Sequence, residues 1–329
     1  MHILVEEFLA DNVAFRKDCY ETLIKHREEF IDWRPNWDLI QFLLAQLIPI
    51  TSSSFKSIAA TAHEIADHYD RGNDFFNAFL GPMMIYTSAF YQGLDQTLEQ
   101  AQTNKLNMLC EKVMLKPGMT FLDIGCGIGG PARYVAEQVG CRVRGIDLTT
   151  DYIAAGNELC AWVGLSDQVT LEHASALKLP YDAERFDAAY VMHVGMNIAD
   201  KHTMMAEAFR VLRPGGCLVV YDVMTTTADA VVTYPMPWSE VPENSAIDTP
   251  QSYENALMAA GFTIEKSEAY SDFAVTFFEG MMARMSDGPG PLGLHLLMGA
   301  NTPEKIGNVY RQTKEGTVGP FLLTCRKPA

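Results

Sequence analysis

Apolar residues follow two different spacings along the chain, and the change between them divides it near residue 115. Before that point apolar positions recur at mixed intervals of three and four, as in "LDQTLEQAQTNKLNMLCEKVML", which predicts helices. From "KPGMTFLDIGCGIGG" onward, short apolar runs alternate with amphipathic stretches, a pattern typical of a parallel, doubly wound sheet. We therefore predict an N-terminal helical cap over 1–115 and an α/β domain over 116–329.

In the α/β part we predict seven strands of one Rossmann-like sheet. They lie near 119–124, 142–147, 169–172, 186–191, 217–223, 262–269 and 319–327. Helices are predicted at 130–138, 150–164, 201–212, 251–260 and 272–283. After the fifth strand, "TADAVVTYPMPWSEVPENSAIDTP" carries four prolines, which exclude a regular element, so we predict a lid insertion over 224–250.

Composition narrows the classes of partner. The net charge of −16 argues against nucleic acid, because its phosphates would repel the chain, and against bulk attraction to anionic lipid. Seven cysteines without CxxC spacing predict reduced thiols and neither a metal site nor disulfides. The most apolar run, "LIQFLLAQLIPI", has twelve residues, and a bilayer-spanning helix needs about 20. We therefore expect a cytoplasmic protein with a small-molecule substrate and no stable membrane insertion, and a homodimer is a further expectation.

The first predicted strand of the sheet runs into a glycine-rich loop, "FLDIGCGIGGPARYVAEQVG". Glycines allow a sharp turn and the close approach of a ligand, but a dinucleotide-binding loop has the same spacing. Asp123, two residues before Gly125, would repel a pyrophosphate and can receive an ammonium group, which suits the aminocarboxypropyl end of S-adenosylmethionine. Asp147 ends the next predicted strand, where its carboxylate can accept hydrogen bonds from both ribose hydroxyls of the cofactor. NAD sites share this feature, so it does not by itself separate the two cofactors.

Together with "VLRPGG" before the fifth strand, these residues resemble the class I methyltransferases that use S-adenosylmethionine, over residues 117–223. The resemblance implies cofactor contacts from the glycine loop, from the end of the second strand and from "HASALKLPY" after the third. At Ser175 the family more often has an acidic residue. The residues concerned are Asp123, Gly125, Gly127, Asp147, Leu148, Ser175 and Ala176.

A second resemblance covers residues 68–91, "HYDRGNDFFNAFLGPMMIYTSAFY", and the predicted helix behind them. This stretch resembles the segment that precedes the glycine loop in cyclopropane fatty acid synthases and their relatives, including lipid C-methyltransferases. The resemblance implies that Tyr86 and Thr87 reach the methionine part of the cofactor. It also implies that His68 and Tyr69 line the floor of the site.

The chain departs from the synthases where they hold a bicarbonate base through Cys, Glu and His side chains. Ser88, Met192 and Tyr221 occupy the corresponding positions. Without that base a proton is hard to remove from a methylated carbon, whereas nitrogen or sulfur attacks a methyl sulfonium unaided. The stretches "VMHVGMNIADK" and "PLGLHLLMGANTPEKIGNV" also resemble the sarcosine and dimethylglycine family of small-molecule methyltransferases. We therefore predict methyl transfer to nitrogen or sulfur of a small metabolite, such as a carboxylate-bearing amine or a methylthio acid.

An in-line displacement needs few catalytic residues, because the enzyme supplies mostly alignment. His193 and Tyr221 are the catalytic candidates, and each could instead serve packing or loop shape. The candidate substrate contacts are Tyr69, Ser88, Met192 and Trp238. Two alternatives stay open: a lipid C-methyltransferase or cyclopropane synthase acting on unsaturated acyl chains, and a nucleotide-binding dehydrogenase or non-catalytic binding module with the same loop.

Overall fold

The computed structural model describes residues 85, 87, 89–93, 96–284, 298–299 and 301–329. Most of the cap predicted over 1–115 lies outside these residues, so the domain boundary stays a prediction. Within them, α1 (Leu98–Val113) is the first helix. Thr97 and Gln100 form a reciprocal capping box at its start, and Met114 ends it in the left-handed conformation.

Seven strands form a single sheet, in the order β3-β2-β1-β4-β5-β7-β6. The first five are mutually parallel where they pair, and β7 runs antiparallel to both β5 and β6. This confirms the doubly wound, seven-stranded prediction. The strands are β1 (Thr120–Ile124), β2 (Arg142–Asp147), β3 (Val169–His173), β4 (Phe186–Met192), β5 (Leu212–Thr225), β6 (Thr263–Ala269) and β7 (Val318–Arg326).

Helices also lie near the five ranges that the spacing predicts, and a further helix precedes β7. They are α2 (Gly130–Tyr134), α3 (Thr150–Trp162), α4 (Lys201–Val211), α5 (Pro250–Ala260), α6 (Ser271–Arg284) and α7 (Thr302–Lys314). One difference is that α2 continues as a π-helical turn over Val135–Val139 rather than as α-helix. No helix in the described part of the chain is long and apolar enough to cross a bilayer.

Successive strand residues point to opposite faces of the sheet, and in the central strands β1 and β4 both faces are buried. Leu122 and Val220 lie in the cluster that packs beneath α4 and α5. Phe121 and Val219, one position earlier on each strand, lie in the cluster that includes residues of α1, α2 and α3. Asp123 and Asp147 lie at or next to the carboxyl ends of β1 and β2, and the carboxyl ends of the parallel strands form one edge where a site can be built.

Residues 226–249 follow β5 without a strand, with one 3-10 turn over Pro242–Asn244. The side-chain amide of Gln312 exchanges two hydrogen bonds with the backbone of Thr233, at 2.8 and 2.9 Å. Asn308 donates to the carbonyl of Pro235 at 2.9 Å. An irregular insertion thus stands where the prolines predict it, and its action as a lid stays a prediction.

Candidate active site

Three glycines of the loop after β1 adopt the left-handed backbone that disfavours other residues. Their φ angles are +83° at Gly125, +53° at Gly127 and +77° at Gly129. A Cβ on Gly125 would lie 2.1 Å from Val194, and one on Gly129 would lie 2.5 Å from Leu171. A Cβ on Gly127 would meet nothing within 4 Å. Of the three, Gly127 therefore faces the open space that a ligand can enter.

Asp123 is a buried carboxylate at the end of β1, directly before this loop. Its side chain is 1% exposed, and Oδ2 accepts a hydrogen bond from the Tyr190 hydroxyl at 2.9 Å. Within the described residues, Oδ1 is enclosed and has no hydrogen-bond partner. Burial raises the pKa of Asp123 to about 7. An enclosed oxygen that lacks a donor fits the ammonium group of S-adenosylmethionine.

Asp147 stands across from it, at the end of β2. Oδ2 accepts from the backbone N–H of Gly127 and Oδ1 from that of Thr149, both at 2.9 Å. Each carboxylate oxygen keeps a second lone pair, so the group can still accept ribose hydroxyls. Leu148, the next residue, is 47% exposed, which leaves apolar surface beside the loop.

The loop after β3 reaches the same place, because Ala174 donates to the carbonyl of Asp147 at 3.0 Å. Ser175 Oγ accepts from the N–H of Leu177 at 3.2 Å, so its own hydroxyl proton is left to donate. Ala176 is buried in the core beneath. These groups and Leu148 provide the polar and apolar surface that an adenine requires.

His193 follows β4 and has the left-handed conformation that is rare outside glycine, with φ +56°. Its N–H donates to the carbonyl of Tyr221 at 2.8 Å, which holds the turn against β5. The ring atom Nε2 is enclosed and has no hydrogen-bond partner among the described residues, although the residue as a whole is only half-buried. Burial and the charge of Lys105 lower the pKa of His193 to about 3, so the imidazole is neutral at physiological pH.

Aromatic rings extend from His193 toward α6. The Tyr221 ring lies 4.9 Å from His193 and 6.0 Å from Tyr270, measured between centroids. Tyr270 lies 6.2 Å from Phe90, which stacks on Phe273 at 3.7 Å. We call Tyr221, Tyr270, Phe90 and Phe273 the aromatic row. It gives the space beside His193 an apolar side.

Met192 lies beside this row, since it pairs in register with Tyr221 and is buried. Trp238 is placed differently. Its Nε1 donates to Ser245 Oγ at 3.1 Å, and it packs against Met236 and Val309. Trp238 thus anchors the inserted segment, and its contact with substrate stays a prediction. Tyr69, Tyr86 and Ser88 lie outside the described residues.

Sequence reasoning missed the polar side chains of α1 that hold Thr87 and Phe90. Gln102 donates to the carbonyl of Thr87 at 2.9 Å, and Asn104 donates to that of Phe90 at 3.1 Å. Lys105 is 1% exposed, and its Nζ donates to Thr87 Oγ1 at 2.5 Å. Burial lowers the pKa of Lys105 to about 7. The three side chains fix the backbone that carries Thr87 and Phe90.

A second missed group is Asp222, which is buried beside Tyr221 on β5. Its Oδ2 accepts from the N–H of Met196 and from the Tyr253 hydroxyl, both at 2.9 Å, and burial raises its pKa to about 7. Nearby, Lys201 Nζ donates to the carbonyls of three residues at 2.6 to 2.9 Å: Gly195, Ile198 and Ala246. These bonds fix the turn over 193–198 and join it to the inserted segment.

The family model described as mycolic acid cyclopropane synthetase matches residues 56–278. The chain belongs to that family. It is thus an S-adenosylmethionine-dependent methyltransferase, as the two motif resemblances predict. The fit of Asp123, Gly127 and Asp147 to the cofactor is in keeping with this membership.

Enzymes named for lipid methylation and cyclopropane formation are similar to this chain over about half of its length. Sphingolipid C9-methyltransferase 2 of Gibberella zeae is 38% identical over 170 residues, which are 51% of this chain and 32% of the relative. Cyclopropane-fatty-acyl-phospholipid synthase of Escherichia coli is 36% identical over 172 residues, 52% of this chain and 43% of the relative. The match therefore spans less than half the length of either relative.

Solved structures show the same fold. The cyclopropane synthase MmaA2 from Mycobacterium tuberculosis has a TM-score of 0.67 at 21% identity, over 81% of this chain and 98% of that one. A candidate sarcosine dimethylglycine methyltransferase from Galdieria sulphuraria has a TM-score of 0.64 at 19% identity, over 80% and 97%. The likeness of the chain to both branches is thus confirmed.

The predicted nitrogen or sulfur acceptor on a small metabolite is wrong. The relatives are named for methylation at C9 of a sphingolipid and for cyclopropane formation in fatty-acyl phospholipids. The prediction took replacement of the bicarbonate-holding residues, at Met192 and Tyr221, to mean that no base is present. Packing can place a ring nitrogen elsewhere, as with the enclosed Nε2 of His193 beside Tyr221.

Proposed function

We propose that this chain transfers a methyl group from S-adenosylmethionine to a carbon atom of a double bond in a lipid chain. The names of the sphingolipid and fatty-acyl relatives support this acceptor class. The structural observation that carries the proposal is the neutral, enclosed Nε2 of His193 at the end of the aromatic row. That arrangement suits an uncharged lipid chain, which must lose a proton after it has been methylated.

Methylation of an alkene requires the protein to stabilise a positive charge and to remove a proton. The cofactor supplies an electrophilic methyl group, and addition of that group to an alkene leaves positive charge on the neighbouring carbon. Aromatic faces stabilise positive charge, and Tyr221 and Tyr270 lie within reach of the space beside His193. A neutral imidazole can then take the proton that the charged carbon makes acidic. We assign His193 this role, with Tyr221 beside it.

The cofactor roles follow from the same geometry. We assign the ammonium group to Asp123, the ribose hydroxyls to Asp147, and the adenine to Leu148, Ser175 and Ala176. These assignments rest on the unpartnered Oδ1 of Asp123, on the free lone pairs of Asp147 and on the exposed surface of Leu148. Gly127 leaves room for the cofactor beside them.

The test uses methyl-labelled S-adenosylmethionine and vesicles of a phospholipid with monounsaturated acyl chains. Matched vesicles with saturated chains are the control, and a parallel sample contains a sphingolipid with an unsaturated base. We expect label in the organic extract of unsaturated lipid alone, in a product heavier by one methylene group. Label confined to water-soluble amines, or equal labelling of saturated chains, would contradict the proposal. The two unsaturated samples separate acyl from sphingoid acceptors.

Two finer expectations belong with this function. We infer a cytoplasmic location, in which the acidic chain would meet lipid at a membrane surface without crossing it. We also infer a homodimer. Cell fractionation and light scattering test them, and a monomer in dilute solution would contradict the second.

A further inference from the structure

His193 begins a turn whose backbone is strained. Its φ of +56° lies in the left-handed region, which is unfavourable for any residue that carries a Cβ. Such a conformation persists only where the surrounding structure imposes it. The turn continues directly into the 3-10 residues Gly195–Asn197. The contacts of residues 193–198 therefore decide where the imidazole of His193 lies.

Two consecutive residues of β5 hold this turn. The carbonyl of Tyr221 accepts a hydrogen bond from the N–H of His193 at 2.8 Å. The side chain of Asp222 accepts one from the N–H of Met196, with Oδ2 at 2.9 Å. The two bonds lie on either side of residues 194–195, and both acceptors belong to one strand of the sheet. The sheet thus fixes the turn at two points.

The carboxylate of Asp222 is itself held in place. It is fully buried, and the same oxygen accepts from the Tyr253 hydroxyl at 2.9 Å. A Cβ on Gly195 would lie 2.5 Å from that oxygen, so the backbone of the turn rests directly against the carboxylate. Lys201 Nζ donates to the carbonyl of Gly195 at 2.9 Å and lies 5.0 Å from the centre of the Tyr253 ring. A carboxylate buried to this extent is costly, so its hydrogen bonds should have a use.

We propose that Asp222 is a positioning residue for methyl transfer, which holds the turn over 193–198 so that Nε2 of His193 faces the substrate. This inference rests on the proposed function, because the position matters only if His193 takes the proton. Asp222 acts through the turn and touches neither substrate nor cofactor. Its loss should therefore slow the reaction without weakening cofactor binding.

Single-turnover transfer to vesicles with monounsaturated acyl chains, together with calorimetric titration with S-adenosylhomocysteine, tests the role of Asp222. Asp222→Leu has a similar shape but no acceptor. It should slow transfer about thirtyfold and keep the affinity within about twofold, because a shift of about 1 Å in a reacting group can cost on the order of a hundredfold. Asp222→Asn keeps an oxygen acceptor for both donors, so it should restore most of the rate.

The matched control is Lys327→Met. It removes a buried lysine that donates to the carbonyls of Phe209 and Leu212, far along the chain from the turn. The variant should lose stability and keep the parent rate. Slow transfer in Lys327→Met as well would mean that any buried polar loss slows the enzyme, and the specific role of Asp222 would be refuted.

A double variant separates positioning from general damage. Asp222→Leu combined with His193→Phe should be no slower than His193→Phe alone, because no imidazole is left to position. Losses that multiply would overturn the proposal. Gly195→Ala serves in case Asp222→Leu folds poorly, since its Cβ would push the turn away from the same carboxylate oxygen. It should also slow transfer, and its loss should likewise vanish in the His193→Phe background.

Nuclear magnetic resonance of the protein labelled with ¹⁵N-histidine gives a readout that does not depend on the acceptor. The ring signals of His193 should shift in Asp222→Leu and in Gly195→Ala, and they should stay in place in Asp222→Asn. Unmoved signals or a parent-like rate in Asp222→Leu would refute the positioning role. If the parent chain labelled no lipid, the proposed function would fail, and the His193 signals would still decide whether Asp222 positions the ring.

Discussion

Replacing Asp123 by asparagine should stabilise the fold and disable the cofactor site. Asparagine has nearly the same shape and can keep the hydrogen bond that Asp123 accepts from Tyr190. It removes a charge that is held 1% exposed, with one oxygen unpartnered among the described residues. The two consequences have opposite signs, which makes the variant more informative than a simple loss of function.

The stability term follows from the pKa of Asp123. Burial raises it from 3.8 to about 7, so the folded chain holds a proton that the unfolded chain has released between these values. Stability of the parent chain therefore falls as pH rises from about 4 to 7, by on the order of 4 kcal/mol in all. Asp123→Asn avoids this loss. It should be the more stable chain at about pH 8, by up to that amount, with no difference near pH 4.

Cofactor affinity should be lower in Asp123→Asn than in the parent chain. An asparagine amide would face the cofactor's ammonium with a second donor, and we expect a loss of on the order of a hundredfold in affinity. In the parent chain, affinity should fall about tenfold for each pH unit below 7, as Asp123 takes up its proton. The variant should lack this pH dependence.

Urea unfolding and calorimetric titration with S-adenosylmethionine, each across pH, measure the two terms. Asp222→Asn is the matched control, since Asp222 is also buried, also bonded to a tyrosine hydroxyl, and also has a pKa raised to about 7. It should gain similar stability and keep its cofactor affinity. If Asp123→Asn bound the cofactor as the parent does at about pH 8, or were the less stable chain there, the reasoning would fail.

Three further predictions concern the rest of the site. His193→Phe should slow methyl transfer about a hundredfold in single-turnover assays, with cofactor affinity unchanged. Because the pKa of His193 is about 3, its imidazole stays neutral down to about pH 5, so its protonation should not slow the parent enzyme above that pH. Gly125→Ala should lower the free energy of unfolding by about 2 kcal/mol or more, because the new Cβ would clash with Val194. Gly127→Ala should mainly weaken cofactor binding, because its Cβ would point into the open space of the site. Lys201→Met should lose three hydrogen bonds and about 3 kcal/mol of stability, with faster amide exchange over 195–198; unchanged exchange would contradict this.

The sheet could be predicted from the sequence because its strands other than β6 are mainly apolar runs with their own turn signals. The ends of β2 match the prediction at both residues. The main difference is β5, which begins at Leu212, because residues 213–216 bulge between the pairs Phe186–Leu212 and Ala188–Cys217. A bulge depends on the neighbouring strand, so the pattern within one segment does not reveal it.

The candidate site could be predicted where its residues lie close together along the sequence. Asp123, Gly127 and Asp147 belong to a strand–loop–helix motif whose spacing carries its chemistry. Lys105 is different, because its partner Thr87 lies 18 positions earlier, outside the strand–loop–helix motif. One signal was present: Lys105 falls on the same helical stripe as Leu109, where a charged residue is unexpected.

The error over the acceptor has a related cause. Aligning the chain with the cyclopropane synthases shows which of their bicarbonate-holding residues are replaced. The alignment does not show which other side chains the fold brings to the same place. The left-handed turn at His193 and the nearby charge of Lys105 arise from contacts between β4, β5 and α1. Neither can be read from residues 192–194 alone.

The inserted segment after β5 restricts how an acceptor of the proposed lipid class would reach the site. Among the hydrogen bonds that hold it, three join Thr233 and Pro235 to α7, and two join Ala246 to Met196 and Lys201. At about 1 kcal/mol each, breaking these five alone costs about 5 kcal/mol, so at most roughly one molecule in five thousand would have the segment lifted. We expect the segment to act as a fixed wall. An acyl chain would then thread in lengthwise along Phe90 and Phe273, and chain length beyond the double bond would govern how quickly the product leaves.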